Sequence, residues 1–218
     1  CGMSQGSPIS PLLANLYMRR FVLAWKKLGL EQSLGSRIVI YADDLVILCK
    51  RGKADEALLR LREIMGKLKL TVNEEKTRIC KVPEETFDFL GFTFGRLYSA
   101  RTGQARIGYR PSKQSIQRMV RKIHALTAEA MGWQETTALV GKLNRKLRGW
   151  ANYFHVGSVS RAHRALDSYT SMRLRRWLRN KHKVRRSGGT VYPDVYLYET
   201  LRLVRLSSLQ RNVPCSKA

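Results

Sequence analysis

The chain has 218 residues, 44% of them hydrophobic and 26% charged, which excludes a disordered polymer or a disulfide-stapled miniprotein and suits one or two packed domains. Its formal net charge of +25, from 41 Lys+Arg against 16 Asp+Glu, far exceeds what solubility requires and points to a polyanionic partner. Residues 1–100 carry 16 basic and 11 acidic side chains, whereas residues 101–218 carry 25 and 5, so the excess sits in the second half, and nucleic acid is the partner it suits best.

The first predicted element is a helix over about residues 11–28, opened by "SPISP" (7–11) with Leu12, Leu13, Leu16, Tyr17 and Leu23 or Ala24 at helical spacing. Proline is tolerated at such a start because the first amides have no intrahelical partner. "RIVIY" (37–41) and "LVILC" (45–49) are too short and too β-branched for helices. With only a few residues between them they read as a buried β-hairpin with Asp43 and Asp44 at its turn. Leu58, Leu61, Met65 and Leu68 then recur at steps of three and four, which predicts an amphipathic helix over about 53–69. "LTVNEEKTRICKV" (70–82) reads as a strand and an acidic turn, and "TFDFLGFTFG" (86–95) alternates in strand fashion.

"RTGQARIGYR" (101–110) reads as a hairpin remnant and linker, after which the pattern becomes helical. Ser112 is the expected N-cap of a helix with Ile116, Met119, Val120 and Ile123 on its core face. A second helix sets Leu139, Leu143, Leu147 and Trp150 against Arg145, Arg148 and Asn152. A third sets Leu166, Tyr169, Leu174 and Trp177 against Arg175, Arg176 and Arg179. Basic residues thus share helices with apolar stripes instead of forming a separate polybasic tail, which argues against a membrane surface. The fold class is α+β: an antiparallel sheet with helices over 1–98, then a helical bundle over 99–218.

Cys1, Cys49, Cys80 and Cys215 have neither CxxC spacing nor a matching histidine pattern, so neither zinc nor a disulfide framework is expected and a reducing compartment fits. No run approaches the roughly 20 apolar residues of a membrane span, and no signal peptide is visible. The expected location is the cytoplasm or an organelle.

The aspartates carry the chemistry. Two ionised carboxylates held close together repel each other unless a cation neutralises them. Hard oxygen ligands at this density suit Mg²⁺, which takes one or two carboxylates together with substrate phosphates. Aspartate is also common in turns for purely local hydrogen-bonding reasons, so the pair alone leaves both readings open.

The surrounding blocks add a resemblance. "YADD" (41–44) between apolar strands resembles the active-site hairpin of reverse transcriptases, and "SQGSPISPLLANLYM" (4–18) resembles the block that opens the long palm helix in group II intron reverse transcriptases. "LKLTVNEEKTRI" (68–79) is similar to the next palm block and "FDFLGFTF" (87–94) to the primer-grip hairpin. "RPSKQSI" (110–116), "LNRKLRGWANYF" (143–154), "RLRRWLRNKH" (173–182) and "YPDVYLYE" (192–199) resemble the thumb, or maturase-specific domain X.

This resemblance implies an RNA-directed DNA polymerase and intron-RNA-binding maturase, working with Mg²⁺, dNTP, an RNA template, a DNA primer and group II intron RNA. It implies metal-binding roles for Asp43 and Asp44 and contact of Lys76 with the triphosphate. Tyr41 and Ala42 would lie beside the primer end, Gln5 and Gly6 near the nascent base pair, and Leu90 and Gly91 at the primer grip. Arg145, Arg148, Arg175, Arg176 and Arg179 would contact RNA. It also implies a further catalytic carboxylate and the fingers, expected before Cys1, so that the isolated chain is expected to be inactive. The alternative is an inactive or split RNA-binding maturase module. Trp150, Tyr153 and Phe154 are aromatic enough to stack on bases, with Trp150 expected in the core.

Overall fold

A computed structural model describes residues 9–99, 102–185 and 188–209, giving the backbone alone at Ser10 and Pro11. Cys1, Gln5, Gly6 and Cys215 lie outside the described residues. The chain divides into two compact units, residues 1–81 and 82–218. The division sets the "FDFLGFTF" strands with the helices that follow them, where motif order alone drew its line at 98/99.

In the first unit, helix α1 (Ser10–Lys27) and a short helix α2 (Leu30–Ser33) precede strands β1 (Arg37–Tyr41) and β2 (Asp44–Leu48), and helix α3 (Ala54–Lys67) follows. The face of α1 that packs inward is not the leucine stripe expected from spacing. Phe21 and Trp25 are fully buried, whereas Leu12, Leu16 and Leu23 are exposed. The two rings lie 5.6 Å apart, and aromatic side chains bury more area per residue than leucine does. Trp25 Nε1 donates to Ser36 Oγ at 3.0 Å, and that hydroxyl donates to the Leu30 carbonyl at 2.9 Å. The indole can therefore be buried without losing its hydrogen bond. Ala57, Leu61, Ile64 and Met65 of α3 complete this core.

Residues 70–82 contain the expected acidic turn but not the expected strand. Asn73 organises that turn: its carbonyl accepts from the amides of Lys76 and Thr77 and from Thr77 Oγ1, and its side-chain oxygen accepts from the Lys76 amide. Local side-chain bonds of this kind compete with a sheet ladder. Arg62 of α3 holds Glu74 through two hydrogen bonds of 3.0 and 2.7 Å.

The second unit begins with a three-stranded antiparallel sheet of β3 (Phe87–Phe89), β4 (Phe92–Tyr98) and β5 (Ala105–Pro111), in that order. The segment expected to be a hairpin remnant and linker is thus a full strand, paired with β4 from Phe92↔Pro111 to Tyr98↔Ala105. Helices α4 (Lys113–Leu126), α5 (Thr136–Tyr153) and α6 (Ser160–Lys181) follow, then α7 (Gly188–Val191), a π-helical turn (Tyr196–Thr200) and α8 (Leu206–Leu209). Ser112 caps α4 as expected, its Oγ accepting from the Ser115 amide at 3.1 Å.

Leu139, Leu143, Leu147, Leu166 and Leu174 are fully buried and Trp177 nearly so, so the predicted stripes of α5 and α6 are the bundle core. Two side chains stitch residues 202–207 onto it. Asn144 donates to the Arg202 carbonyl and accepts from the Val204 amide, both at 2.8 Å. Asp167 accepts from the amides of Leu206 and Ser207 at 2.7 and 2.9 Å, satisfying donors at the start of α8 that the helix itself cannot. Among the described residues no helix is long and apolar enough to cross a membrane.

Candidate functional site

Strands β1 and β2 pair from Arg37↔Leu48 to Tyr41↔Asp44, leaving Ala42 and Asp43 as the whole turn. Ala42 accepts a φ of 55° to close it, a conformation that costs a non-glycine residue about 1–2 kcal/mol. The hairpin is half-buried rather than buried. Ile38, Ile40, Leu45 and Ile47 pack on the first unit's core. Directly opposed residues share a face, so Tyr41 and Asp44 point to the other side with Val39 and Val46. Tyr41 is 64% exposed. Apolar packing on one face therefore fixes what the opposite face presents.

Asp43 and Asp44 are both exposed, and their carboxylates have no hydrogen bond or ion pair among the described residues. In a chain with 41 basic residues, two adjacent carboxylates without a cationic partner are set apart from the protein's own charge. Lys76 is also exposed and its ammonium unpaired, while its backbone is held by Asn73 in the turn after α3. Asp88, the acidic residue in the "FDFLGF" block, is engaged structurally, accepting from Thr93 Oγ1 across the β3–β4 pair at 2.5 Å.

Leu90 and Gly91 form the two-residue turn between β3 and β4, with φ of 49° and 77°. Positive φ at both central residues is what a tight hairpin with right-handed twist demands. This turn is clamped within the second unit. Gly91 O accepts from the Ser112 amide at 2.8 Å and from Ser115 Oγ at 3.0 Å, and Leu90 O accepts from the Tyr153 hydroxyl at 2.9 Å. A Cβ on Gly91 would sit 2.8 Å from Ser115 Oγ and 3.3 Å from the Phe154 ring, so the glycine serves a close approach as well as its φ. Phe92 packs on Phe154 and Tyr153 at centroid distances of 4.8 and 5.9 Å. Phe154 is 5% exposed and so closed to a stacking base, and Trp150 is packed against the bundle core.

The five arginines differ in their surroundings. Arg145, Arg148 and Arg176 are exposed and unpaired among the described residues. Arg175 is half-buried; its Nε donates to the Tyr192 carbonyl at 2.8 Å and its guanidinium meets Asp194 at 2.5 Å. Asp194 also pairs with Arg205 at 3.2 Å. Arg179 is half-buried with its Nε unpartnered, and Gly188 lies close against its stem. Arg175, Arg176 and Arg179 line one open groove of about 590 Å³ with Gly188 and Gly189.

Arg173, which the helical pattern does not separate from its neighbours, is buried. Its Nε donates to Thr127 Oγ1 at 3.0 Å and a terminal nitrogen donates to the Thr127 carbonyl at 2.8 Å. It closes the end of α4. His163 is also buried, and burial pushes its imidazole below its ordinary value against the opposing pulls of Asp167 and of the Phe154 and Leu206 backbones. Neither of the half-buried cysteines Cys49 and Cys80 is in a disulfide, and burial pushes the Cys49 thiol up.

Two family models match the chain. Residues 1–94 match "Reverse transcriptase (RNA-dependent DNA polymerase)" and residues 116–192 match "Group II intron, maturase-specific domain". No curated protein matches it.

Proposed function

The chain belongs to the group II intron reverse transcriptase/maturases, and we propose that it joins a nucleotidyl-transfer site at the Ala42–Asp43 turn to an RNA surface on α5 and α6. The observation that carries the first part is the pair of exposed, unpaired carboxylates, Asp43 and Asp44, on a hairpin fixed by the packing of its opposite face. Two hard oxygen donors beside open solvent fit Mg²⁺, whose remaining positions are filled by phosphate oxygens and water. The metal would supply charge stabilisation to phosphoryl transfer.

The chain's own residues bind and orient. Asp43 and Asp44 offer carboxylate oxygens in a geometry set by the two-residue turn. Tyr41, on the same face as Asp44, offers a ring and a hydroxyl to a nucleotide or primer end. Lys76 offers an unpaired ammonium to the negative charge of a triphosphate. The clamped Leu90–Gly91 backbone offers a rigid edge for a primer strand, and Arg145, Arg148 and Arg176 offer free cations to intron or template RNA phosphates.

Primer extension on an RNA template with Mg²⁺ and dNTP tests this. The resemblance to reverse transcriptases implies a further palm carboxylate beside Asp43 and Asp44, so the 218 residues alone are expected to give no extension. A polypeptide carrying a further carboxylate-bearing palm strand, supplied in trans, should restore it, and Asp43→Ala should then abolish it without changing RNA affinity. Synthesis that survives Asp43→Ala overturns the assignment. RNA binding without synthesis under every condition favours the second reading, a maturase module, which the three unpaired arginines support.

A further inference from the structure

We infer that Trp133 is a stacking platform for an unpaired RNA base, an inference that rests on the RNA-binding reading above. Trp133 is 79% exposed, more than any other large hydrophobic side chain among the described residues. Its three counterparts are occupied: Trp25 and Trp177 are buried, and Trp150 packs against the core.

The exposure does not come from a loose loop. On one side of Trp133, the Met131 carbonyl accepts from Trp177 Nε1 and the Gly132 carbonyl accepts from Lys181 Nζ, both at 3.2 Å. On the other side, the Gln134 carbonyl accepts from the same Lys181 ammonium. Gln134 is itself buried, its side-chain oxygen accepting from Lys142 Nζ at 2.6 Å. The backbone is pinned before and after a single outward indole. A fixed aromatic pays little conformational entropy when something docks on it.

The charges around it select the ligand. Lys142 and Lys181 spend their ammoniums on loop oxygens, while the exposed Glu129 and Glu135 flank the indole in sequence. The loop therefore offers no free cation to a phosphate. What it offers is an uncharged π-face, in a half of the chain with 25 basic and 5 acidic residues. RNA brought in by cations elsewhere presents such a partner only where its bases are unpaired, since duplex bases already stack on each other.

The test compares two labelled RNAs of equal length, a hairpin with an unpaired loop and a blunt duplex, using the full chain. Trp133→Ala should weaken hairpin binding about 5- to 150-fold, as one lost base–aromatic stack implies. Duplex binding and the salt slope should stay unchanged, and Trp133→Phe should restore most of the affinity. Hairpin RNA should also quench the solvent-exposed tryptophan emission, and Trp133→Phe should remove that quench. Unchanged hairpin affinity in Trp133→Ala overturns the stacking site alone. Emission that shifts with protein concentration in the absence of RNA also overturns it, making the patch a self-association contact. Wild-type protein that binds neither RNA overturns both this inference and the RNA-binding reading.

Discussion

The Tyr153 hydroxyl donates to the carbonyl oxygen of Leu90 at 2.9 Å, tying the last turn of α5 to the turn between β3 and β4. Tyr153 is 54% exposed, so water can replace the lost donor. Tyr153→Phe should cost about 0.5–1.5 kcal/mol in urea unfolding, the net worth of one such bond. A larger loss would mean that the ring's packing on Phe92 was disturbed as well.

The same turn predicts a non-additive pair. Gly91→Ala places a methyl 2.8 Å from Ser115 Oγ at a φ of 77°, and should destabilise by about 2 kcal/mol from backbone strain and crowding combined. Ser115→Ala removes the closest contact but neither the strain nor the Phe154 ring at 3.3 Å. The double variant should therefore be less destabilised than the sum of the singles, and a double-mutant cycle by chemical denaturation measures the coupling. Strict additivity would refute the close approach.

His163 predicts a pH dependence of stability. Burial holds its imidazole below the ordinary value, so the unfolded chain takes up the proton first as pH falls below about 6.5. Its neutral form contributes stability that is fully present above that pH and is lost as pH falls toward the depressed folded value, at up to about 1.4 kcal/mol per pH unit. Urea midpoints from pH 8 to 5 should show this decline, and His163→Phe should flatten it in that range.

Arg173 and Arg176 are neighbours in sequence with opposite expected phenotypes. Arg173→Ala leaves the buried Thr127 carbonyl without its donor and should cost about 2–3 kcal/mol, with the salt dependence of RNA binding unchanged. Lysine should rescue it poorly, because it cannot reproduce the planar fork. Arg176→Ala should leave stability within about 0.5 kcal/mol and lower the slope of log affinity against log salt by about one. Fluorescence anisotropy at several salt concentrations, beside urea melts, separates the two.

Much of this was legible in the sequence because the signals are local. The hairpin around Asp43 and Asp44, the Ser112 cap and the leucine stripes of α5 and α6 each follow from short-range spacing. The misreadings arose where a distant or side-chain partner decided. The inward face of α1 is set by Trp25 finding Ser36, eleven residues away. Residues 70–82 are set by Asn73 bonding its own turn, and β5 by pairing with β4 instead of acting as a linker. Arg173 and Arg176 cannot be told apart by helical periodicity at this distance from each other. Which guanidinium is buried depends on Thr127, 46 residues earlier. Trp133 carries no periodic signal, since its significance lies in how its neighbours' carbonyls are held.

The carbonyls of Leu90 and Gly91 take hydrogen bonds from residues 112, 115 and 153, which bears on how the protein can be cut. A truncation at 98/99, where the motif blocks change, would sever β4 from β5 and leave that turn without the hydroxyls and amide that hold it. A cut at 81/82 keeps strand, turn and helices in one piece. Deletion studies that assign RNA binding to the helical half should therefore begin at Val82, since a shorter fragment would confuse a lost scaffold with a lost contact.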